Sequence, residues 1–273
     1  MTTPPDNSTL TARATDALLT ADPAAKAAKA RQIEADYRRG NITLRGDSSP
    51  PARPGRPERP LLLAPRDMPK RRAGRSEAGR IALLHALAHI ELNAIDLALD
   101  IVARFAPDDG EDEFASDWLG VAAEEAVHFE LLARRLNDFV AAYGDLPAHD
   151  GLWEAAEKTA DDLLARLAVV PLVLEARGLD VTPSMIERME RFGDRETSQI
   201  LEVIYREEIG HVACGRKWFG RVALARGFDA RKAWQELVME RFRGDLKPPF
   251  NIAARDEAGL AEDWYAAIAA PLR

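Results

Sequence analysis

Residues 85–100 read HALAHIELNAIDLALD, and the apolar side chains in this stretch recur three and four residues apart. That period is typical of one face of an α-helix. Glu91 interrupts the face, because its neighbours at the helical spacings are all apolar: Leu84, Leu87, Ala88, Ala94, Ile95 and Ala98. A charged side chain at such a position is uncommon unless it is paired or bound to an ion. The stretch therefore predicts a core helix that carries one buried acid.

The same helical period continues from Ser76 to the C-terminus, which predicts an all-α domain. Predicted helices cover 76–105, 114–143, 152–177, 183–192, 194–226 and 230–242, with a loop and a short helix after residue 245. Gly178 and Gly227 are expected to cap helix C-termini, and Pro107, Pro147 and Pro183 are expected to lie in the breaks between helices.

Three more predicted helices carry an acid within an apolar stripe. Glu125 and Glu208 each have apolar neighbours at the helical spacings, and each is followed three residues later by a histidine, His128 and His211. Glu175 follows Ala168, Pro171 and Leu172 at these spacings. A glutamate and a histidine three residues apart share one helical face, so both can bind the same ion.

The distances along the chain support one shared metal site. Glu91 and Glu125 are 34 residues apart, Glu175 and Glu208 are 33 apart, and 50 residues separate Glu125 from Glu175. Each half thus delivers a lone glutamate and then a Glu-x-x-His pair, and the middle spacing fits the long crossover of a ferritin-like four-helix bundle. The sequence predicts that such a bundle, over 76–273, binds two iron or manganese ions through Glu91, Glu125, His128, Glu175, Glu208 and His211.

The alternative interpretation is that the acids are salt-bridged core groups, or that the helical phase is wrong by one residue. Glu124 and Glu207 lie at positions that suit solvent, which favours Glu125 and Glu208 as the buried acids. Pro171 removes one helical hydrogen bond four residues before Glu175, so the phase is least determined there.

Two histidines outside this set have a spacing that can bind zinc. His85 and His89 are four residues apart, but His89 lies about 160° around the helix from Glu91. We expect both imidazoles at the surface, or as hydrogen-bond partners of the ligands.

Four other residues have plainer interpretations. Asp96 and Glu130 are expected to be solvated acids or hydrogen-bond partners of the ligands. Tyr205, one turn before Glu208, is expected to pack in the core and could donate a hydrogen bond near the site. Cys214 is expected to be a small buried apolar residue.

The N-terminal part of the chain has a different composition. Residues 11–39 favour one or two short helices, and 50–69 contain seven prolines, which predicts an extended or irregular segment. Residues 45–80 carry a net charge of +6, whereas 81–273 carry −15. Residues 1–75 are therefore expected to be an extension that ends in a solvated, basic linker ahead of the main domain.

Composition excludes several classes of protein. The chain has 273 residues and a single cysteine, Cys214, so it forms no internal disulfide and offers no multi-cysteine metal site. No apolar run is long enough to span a membrane, and residues 1–20 do not have the pattern of a signal peptide. These features predict a cytoplasmic protein.

The blocks HALAHIELNAIDLALD, EEAVHFELLARRL, VLEARGLDVTP and YREEIGHVACGRKWF, together with PPFNIAAR, resemble the bacterial ferritin-like family catalogued as domain of unknown function 455. The likeness runs from about Ser76 to the C-terminus. That family is similar in turn to the di-iron tRNA hydroxylase that acts on 2-methylthio-isopentenyladenosine. Carried over by position, the resemblance implies the same six metal ligands, Glu175 among them.

Oxygen-rich ligation with two imidazoles favours iron or manganese over zinc. We therefore expect an O2-dependent oxidoreductase, hydroxylase-like, whose substrate is a small molecule or an RNA and whose electron donor the sequence does not identify. The alternatives are an iron oxidation and storage protein, an interaction protein stabilised by metal, and a manganese enzyme that decomposes peroxide. A homo-oligomer is compatible with each of these.

Overall fold

The computed structural model describes residues 9–42, 46, 50–69, 76–106 and 112–271. Regular secondary structure in these ranges is helical, which confirms the predicted all-α class. The chain divides into two compact units, residues 1–153 and 154–273. The predicted break at Pro107 lies outside the described residues.

The described residues of the first unit form four helices and a short 3₁₀ turn at Pro65–Asp67. The helices are α1 (Leu10–Leu19), α2 (Pro23–Arg38), α3 (Glu77–Phe105) and α4 (Asp112–Asp138). Helix α3 packs along α4, while α1 packs on α3 and α2 on α4, so the four helices form a bundle-like unit. Helix α5 (Gly151–Glu157) contains the division between the two units.

Local sequence explains where these helices begin and end. Thr9, Asp22 and Ser76 each accept a hydrogen bond from a backbone N–H in the first turn of the helix that follows, which satisfies a group that the helix leaves open. Helix α4 ends five residues earlier than predicted, because Val140 adopts a φ of 56°, outside the right-handed helical region.

The second unit contains the remaining helices. They are α6 (Leu163–Val169), a π-helical turn (Val170–Glu175), α7 (Ala176–Arg191), α8 (Arg195–Ala225), α9 (Ala230–Arg241), α10 (Ile252–Glu257), α11 (Glu262–Tyr265) and a 3₁₀ turn at Ala266–Ile268. Helices α7 and α8 pack against each other, and α6 packs against α8 and α9. Gly227 has a φ of 73° and follows the end of α8, as the sequence predicted.

Two of the predicted helices are wrong. The range 152–177 is not one helix, because a turn precedes α6 and Asp162 starts that helix by accepting a hydrogen bond from Leu164 N–H. The range 183–192 is not a separate helix either, since α7 runs through Gly178 and Pro183 without a break. The predicted cap at Gly178 and the predicted break at Pro183 are therefore also wrong. Pro183 has no N–H for Leu179 O, and the side chain of Asn251 donates to that oxygen instead at 3.1 Å.

The N-terminal segments belong to the first compact unit. Helices α1 and α2 pack on α3 and α4, and Gly55 N–H in the proline-rich segment donates to Leu18 O at 2.9 Å. The boundary between the compact units therefore does not coincide with the boundary predicted at residues 75 and 76, and the domain division stays a prediction. Among the described residues, no helix is long and apolar enough to cross a membrane.

Candidate metal centre

Three of the predicted ligands lie together in the first unit. Glu91 on α3 and Glu125 and His128 on α4 are all buried. His128 Nδ1 lies 3.2 Å from Glu125 Oε2 and 3.5 Å from Glu91 Oε2, and one ligand atom from each residue lies within 4.8 Å of the others. This buried group of two carboxyls and an imidazole could hold a metal ion, because carboxylate and imidazole are common ligands of divalent metals.

The phase of α4 explains why Glu125, rather than its neighbour, enters this group. Glu124 is exposed, whereas Glu125 and His128 have no exposed surface. Trp118, Ala122 and Leu132, at the helical spacings around Glu125, are also buried. The apolar side chains thus turn one face of α4 into the core and bring Glu125 and His128 with it.

Burial and mutual repulsion shape the electrostatics of the ion-free group. Burial, and then the charge of Glu125, raise the pKa of Glu91 to about 8. Burial by itself lowers the pKa of His128, but the hydrogen bonds to Glu125 and Glu91 outweigh that effect and raise the pKa to about 11. The ion-free group therefore disfavours two charged carboxylates side by side and favours a positive charge on His128.

The second unit repeats the Glu-x-x-His arrangement on α8. Glu208 and His211 are both buried, and His211 Nδ1 lies 3.8 Å from Glu208 Oε2. In each unit, then, the histidine presents Nδ1 to the glutamate one turn before it. Glu207 is half-buried, so the burial of α8 also agrees with the predicted phase.

Glu175 is the last residue of the π-helical turn and is half-buried. A π-helical turn contains more residues per turn than an α-helix. It therefore rotates the side chains that follow, relative to the directions that an unbroken α-helix would give them. Pro171 lies in this turn, at the point where the sequence left the phase least determined. That Glu175 joins the other ligands stays a prediction.

His85 and His89, which were expected at the surface or as hydrogen-bond partners of the ligands, are buried. His85 Nε2 accepts a hydrogen bond from Gly144 N–H at 2.9 Å. His89 Nε2 donates to His149 O at 3.1 Å, so Nδ1 accepts from the Tyr143 hydroxyl at 2.9 Å. These bonds tie the segment after α4 to α3, and the surface interpretation of both histidines is wrong because that segment covers them.

Asp96 was also interpreted incorrectly as a candidate for a solvated acid. Its side chain is fully buried, and it accepts hydrogen bonds from Lys26 Nζ at 2.5 Å and from the Arg56 guanidinium. Arg56 also donates to Asn93 Oδ1 at 2.6 Å, and Lys26 Nζ donates to Gly55 O at 3.0 Å. This cluster connects α2 and the proline-rich segment to α3. In the sequence, its visible sign is that Asp96 lies within an apolar stripe.

The remaining candidates have ordinary surroundings. Glu130 forms an ion pair with Arg31 at 2.9 Å, and both side chains are partly exposed. The Tyr205 hydroxyl accepts a hydrogen bond from Asn251 Nδ2 at 2.8 Å. Cys214 is half-buried rather than buried.

A cavity of about 360 Å³ lies at the N-terminal end of α3. Ala82 and Ala86 line it on α3 together with His85, and Leu146 and Pro147 line it from the segment after α4. At 100° per residue, the two alanines point about 140–180° away from Glu91. The cavity therefore does not open onto the group of Glu91, Glu125 and His128 from that side of α3.

Comparisons with known proteins show which family the chain belongs to. A family model described as "Protein of unknown function (DUF455)" matches residues 19–266. The chain belongs to the DUF455 family. This DUF455 protein is 45% identical over 216 residues to an uncharacterized protein of Haemophilus influenzae, across 76% of this chain and 75% of the relative. No solved structure matches it at a significant level.

The family match confirms the family resemblance drawn from the sequence blocks. The matched range of this DUF455 protein contains every helix that carries a predicted ligand. The more distant similarity to the tRNA hydroxylase remains a resemblance.

Proposed function

We propose that this protein is a di-iron carboxylate oxidoreductase that uses O2, with manganese as the alternative ion. Its ligands are the six residues that the sequence predicted: Glu91, Glu125, His128, Glu175, Glu208 and His211. The observation that carries the proposal is the buried group of Glu91, Glu125 and His128, in which three metal-ligating side chains from two helices converge.

The second unit supports the proposal by repeating the same local geometry. His128 and His211 each present Nδ1 toward the glutamate three residues before them, at 3.2 and 3.8 Å. We propose that the two Glu-x-x-His pairs bind one ion each and that Glu91 and Glu175 supply the remaining carboxylates. Two such halves match the two halves of the predicted ferritin-like bundle.

A bound pair of iron ions supplies two electrons for the reduction of O2, and the protein residues prepare the surroundings for that chemistry. Apolar residues of α3 and α4 keep Glu91 and Glu125 away from solvent, so these carboxylates would hold an ion in a dry environment. The His128 ring has no exposed surface and presents Nδ1 to the carboxylates. A ring held in this way would offer the same nitrogen to each ion that binds.

A pair of adjacent glutamates provides a sharp test. Glu125→Gln keeps the size of a buried side chain but removes its charge, whereas Glu124→Gln makes the same change at an exposed position of the same helix. With iron supplied anaerobically, we expect two ions per chain in the wild type and in Glu124→Gln. We expect at most one ion in Glu125→Gln, as measured by elemental analysis of folded protein.

The reaction with O2 separates the proposed function from iron storage. After O2 is added to the loaded protein with a chemical reductant, an oxidoreductase consumes O2 repeatedly while its iron content stays at two per chain. A storage protein instead accumulates further iron as oxidation proceeds. A wild type that binds fewer than two ions per chain, or equal metal content in the two glutamine variants, contradicts the proposal.

A further inference from the structure

One asparagine near the C-terminus connects α7 to α8. Asn251 Nδ2 donates to Leu179 O on α7 at 3.1 Å and to the Tyr205 hydroxyl on α8 at 2.8 Å. A side-chain amide nitrogen carries two hydrogens, so each helix receives one. The same residue begins α10, because its Oδ1 accepts from Ala254 N–H at 3.3 Å.

The hydrogen bond from Asn251 to α7 forms at a carbonyl whose usual N–H partner within the helix is missing. Leu179 O would ordinarily accept from the residue four positions later, which is Pro183. Asn251 supplies the donor instead and allows α7 to continue through the proline. Helix α7 therefore depends on a residue that lies 72 positions further along the chain.

An ion pair strengthens the same contact. Arg255 donates to both oxygens of Asp180, at 2.8 and 2.7 Å, and Asn251 N–H donates to Asp180 Oδ1 at 2.9 Å. Both charged side chains are buried, and the guanidinium lies over the rings of Phe250 and Tyr265. A bidentate pair of this kind fixes both distance and orientation.

These contacts reach the helices next to the predicted ligands. Arg255 Nη2 donates to Ala176 O at 3.4 Å, and Ala176 directly follows Glu175. Tyr205 lies on α8 three residues before Glu208. The segment thus holds the backbone after one predicted ligand and a side chain one turn before another.

We propose that Asn251 and Arg255 are positioning residues that set the orientation of Glu175 and Glu208 for the metal centre, a role that rests on the proposed function. Neither residue binds the ions. Asn251 compensates for Pro183 and joins α7 to α8, while Arg255 holds the first turn of α7 through Asp180 and Ala176. Residues that orient metal ligands typically change metal affinity by about 10- to 100-fold when they are replaced.

Asn251→Asp tests this role with a minimal change of shape. Aspartate keeps the oxygen that caps α10 but has no N–H for Leu179 O or the Tyr205 hydroxyl. The matched control is Asn137→Asp, the same chemical change at an exposed position on α4. Both variants are titrated with Mn²⁺ as full-length protein, with free Mn²⁺ followed by its electron paramagnetic resonance signal.

We expect the wild type and Asn137→Asp to bind two ions with the same pair of dissociation constants. In Asn251→Asp, one constant is expected to rise by about 10- to 100-fold and the other to stay unchanged. Tyr205→Phe removes only one of the two bonds, so it is expected to weaken the same step by less. If Asn251→Asp does not fold, the titration of Tyr205→Phe tests the positioning role instead.

The possible failures are distinguishable. A wild type that binds fewer than two Mn²⁺ ions overturns the proposed function. Two ions bound with wild-type constants in the variants overturns the positioning role and leaves the proposed function standing. An equal loss of both ions in folded protein, judged by circular dichroism, indicates a general structural effect and also overturns the positioning role.

Discussion

Helix α8 and the π-helical turn meet so closely at Gly215 that we expect a single methyl group to disturb them. A Cβ atom on Gly215 would lie 2.4 Å from Pro171 Cβ and 2.5 Å from Pro171 Cγ. Carbon atoms in ordinary contact are separated by about 3.5–4.0 Å. Because the proline ring is rigid, the backbone must move by roughly 1 Å to accept Gly215→Ala.

The expected change in the free energy of unfolding results from two opposing effects. Alanine in place of a helical glycine stabilises by about 1 kcal/mol, whereas overpacking of a buried contact costs about 1–3 kcal/mol. Gly210→Ala is the matched control, because Gly210 lies on the same helix and its Cβ would have no neighbour within 4 Å. Gly215→Ala is therefore expected to be less stable than Gly210→Ala by about 1–3 kcal/mol.

Thermal unfolding measures this difference. At about 2–4 °C per kcal/mol for a chain of this size, Gly215→Ala should melt several degrees below Gly210→Ala. Since Glu175 lies four residues after Pro171, we also expect weaker binding of Mn²⁺ by Gly215→Ala than by Gly210→Ala. Equal melting temperatures and equal metal affinities for the two variants would refute the close contact as the determinant of this turn.

Two further substitutions test the first unit. Lys26→Met removes one partner of the buried Asp96, so it is expected to lower the free energy of unfolding by about 3 kcal/mol, as measured by denaturant unfolding. This value is at the lower end of the usual range, because Arg56 still binds Asp96. Its control, Lys29→Met, removes an exposed ion pair with Asp16 and should cost at most about 1 kcal/mol, so similar midpoints for the two variants would contradict the argument. Val140 is 97% exposed and has a φ of 56°, a backbone conformation that is unfavourable for valine. Val140→Gly is therefore expected to stabilise the protein by about 0.5–1 kcal/mol, after the entropy cost of glycine is subtracted. A lowered denaturant midpoint in this variant would contradict backbone strain at Val140.

Helical periodicity correctly identified two buried acids of the first unit, Glu91 and Glu125. Glu91 and Glu125 are buried while Glu124 is exposed, because the apolar residues three and four positions away turn that face into the core. His128 follows Glu125 by one turn, so it had to share the same direction. The buried direction of Glu125 and His128 depends only on the geometry of their own helix, so the sequence is enough to predict it.

Interpretations that depended on distant partners were less successful. Asp96 and Glu91 look alike in the sequence, since both are acids in the apolar run of α3. The structure separates them, because Asp96 meets Lys26 and Arg56, which lie 70 and 40 residues away along the chain. No pattern within one helix predicts which acid finds a cation from another segment.

The sequence by itself determined the helical class, the cap at Gly227 and the buried direction of the Glu-x-x-His pairs, because each of these depends on interactions within a turn or two of helix. Only the tertiary structure decided that α7 continues through Pro183 and that a π-helical turn precedes Glu175. Asn251 supplies the hydrogen bond that the proline lacks, and Gly215 gives Pro171 the space it occupies. Both depend on residues brought together by packing, so local preference could not reveal them.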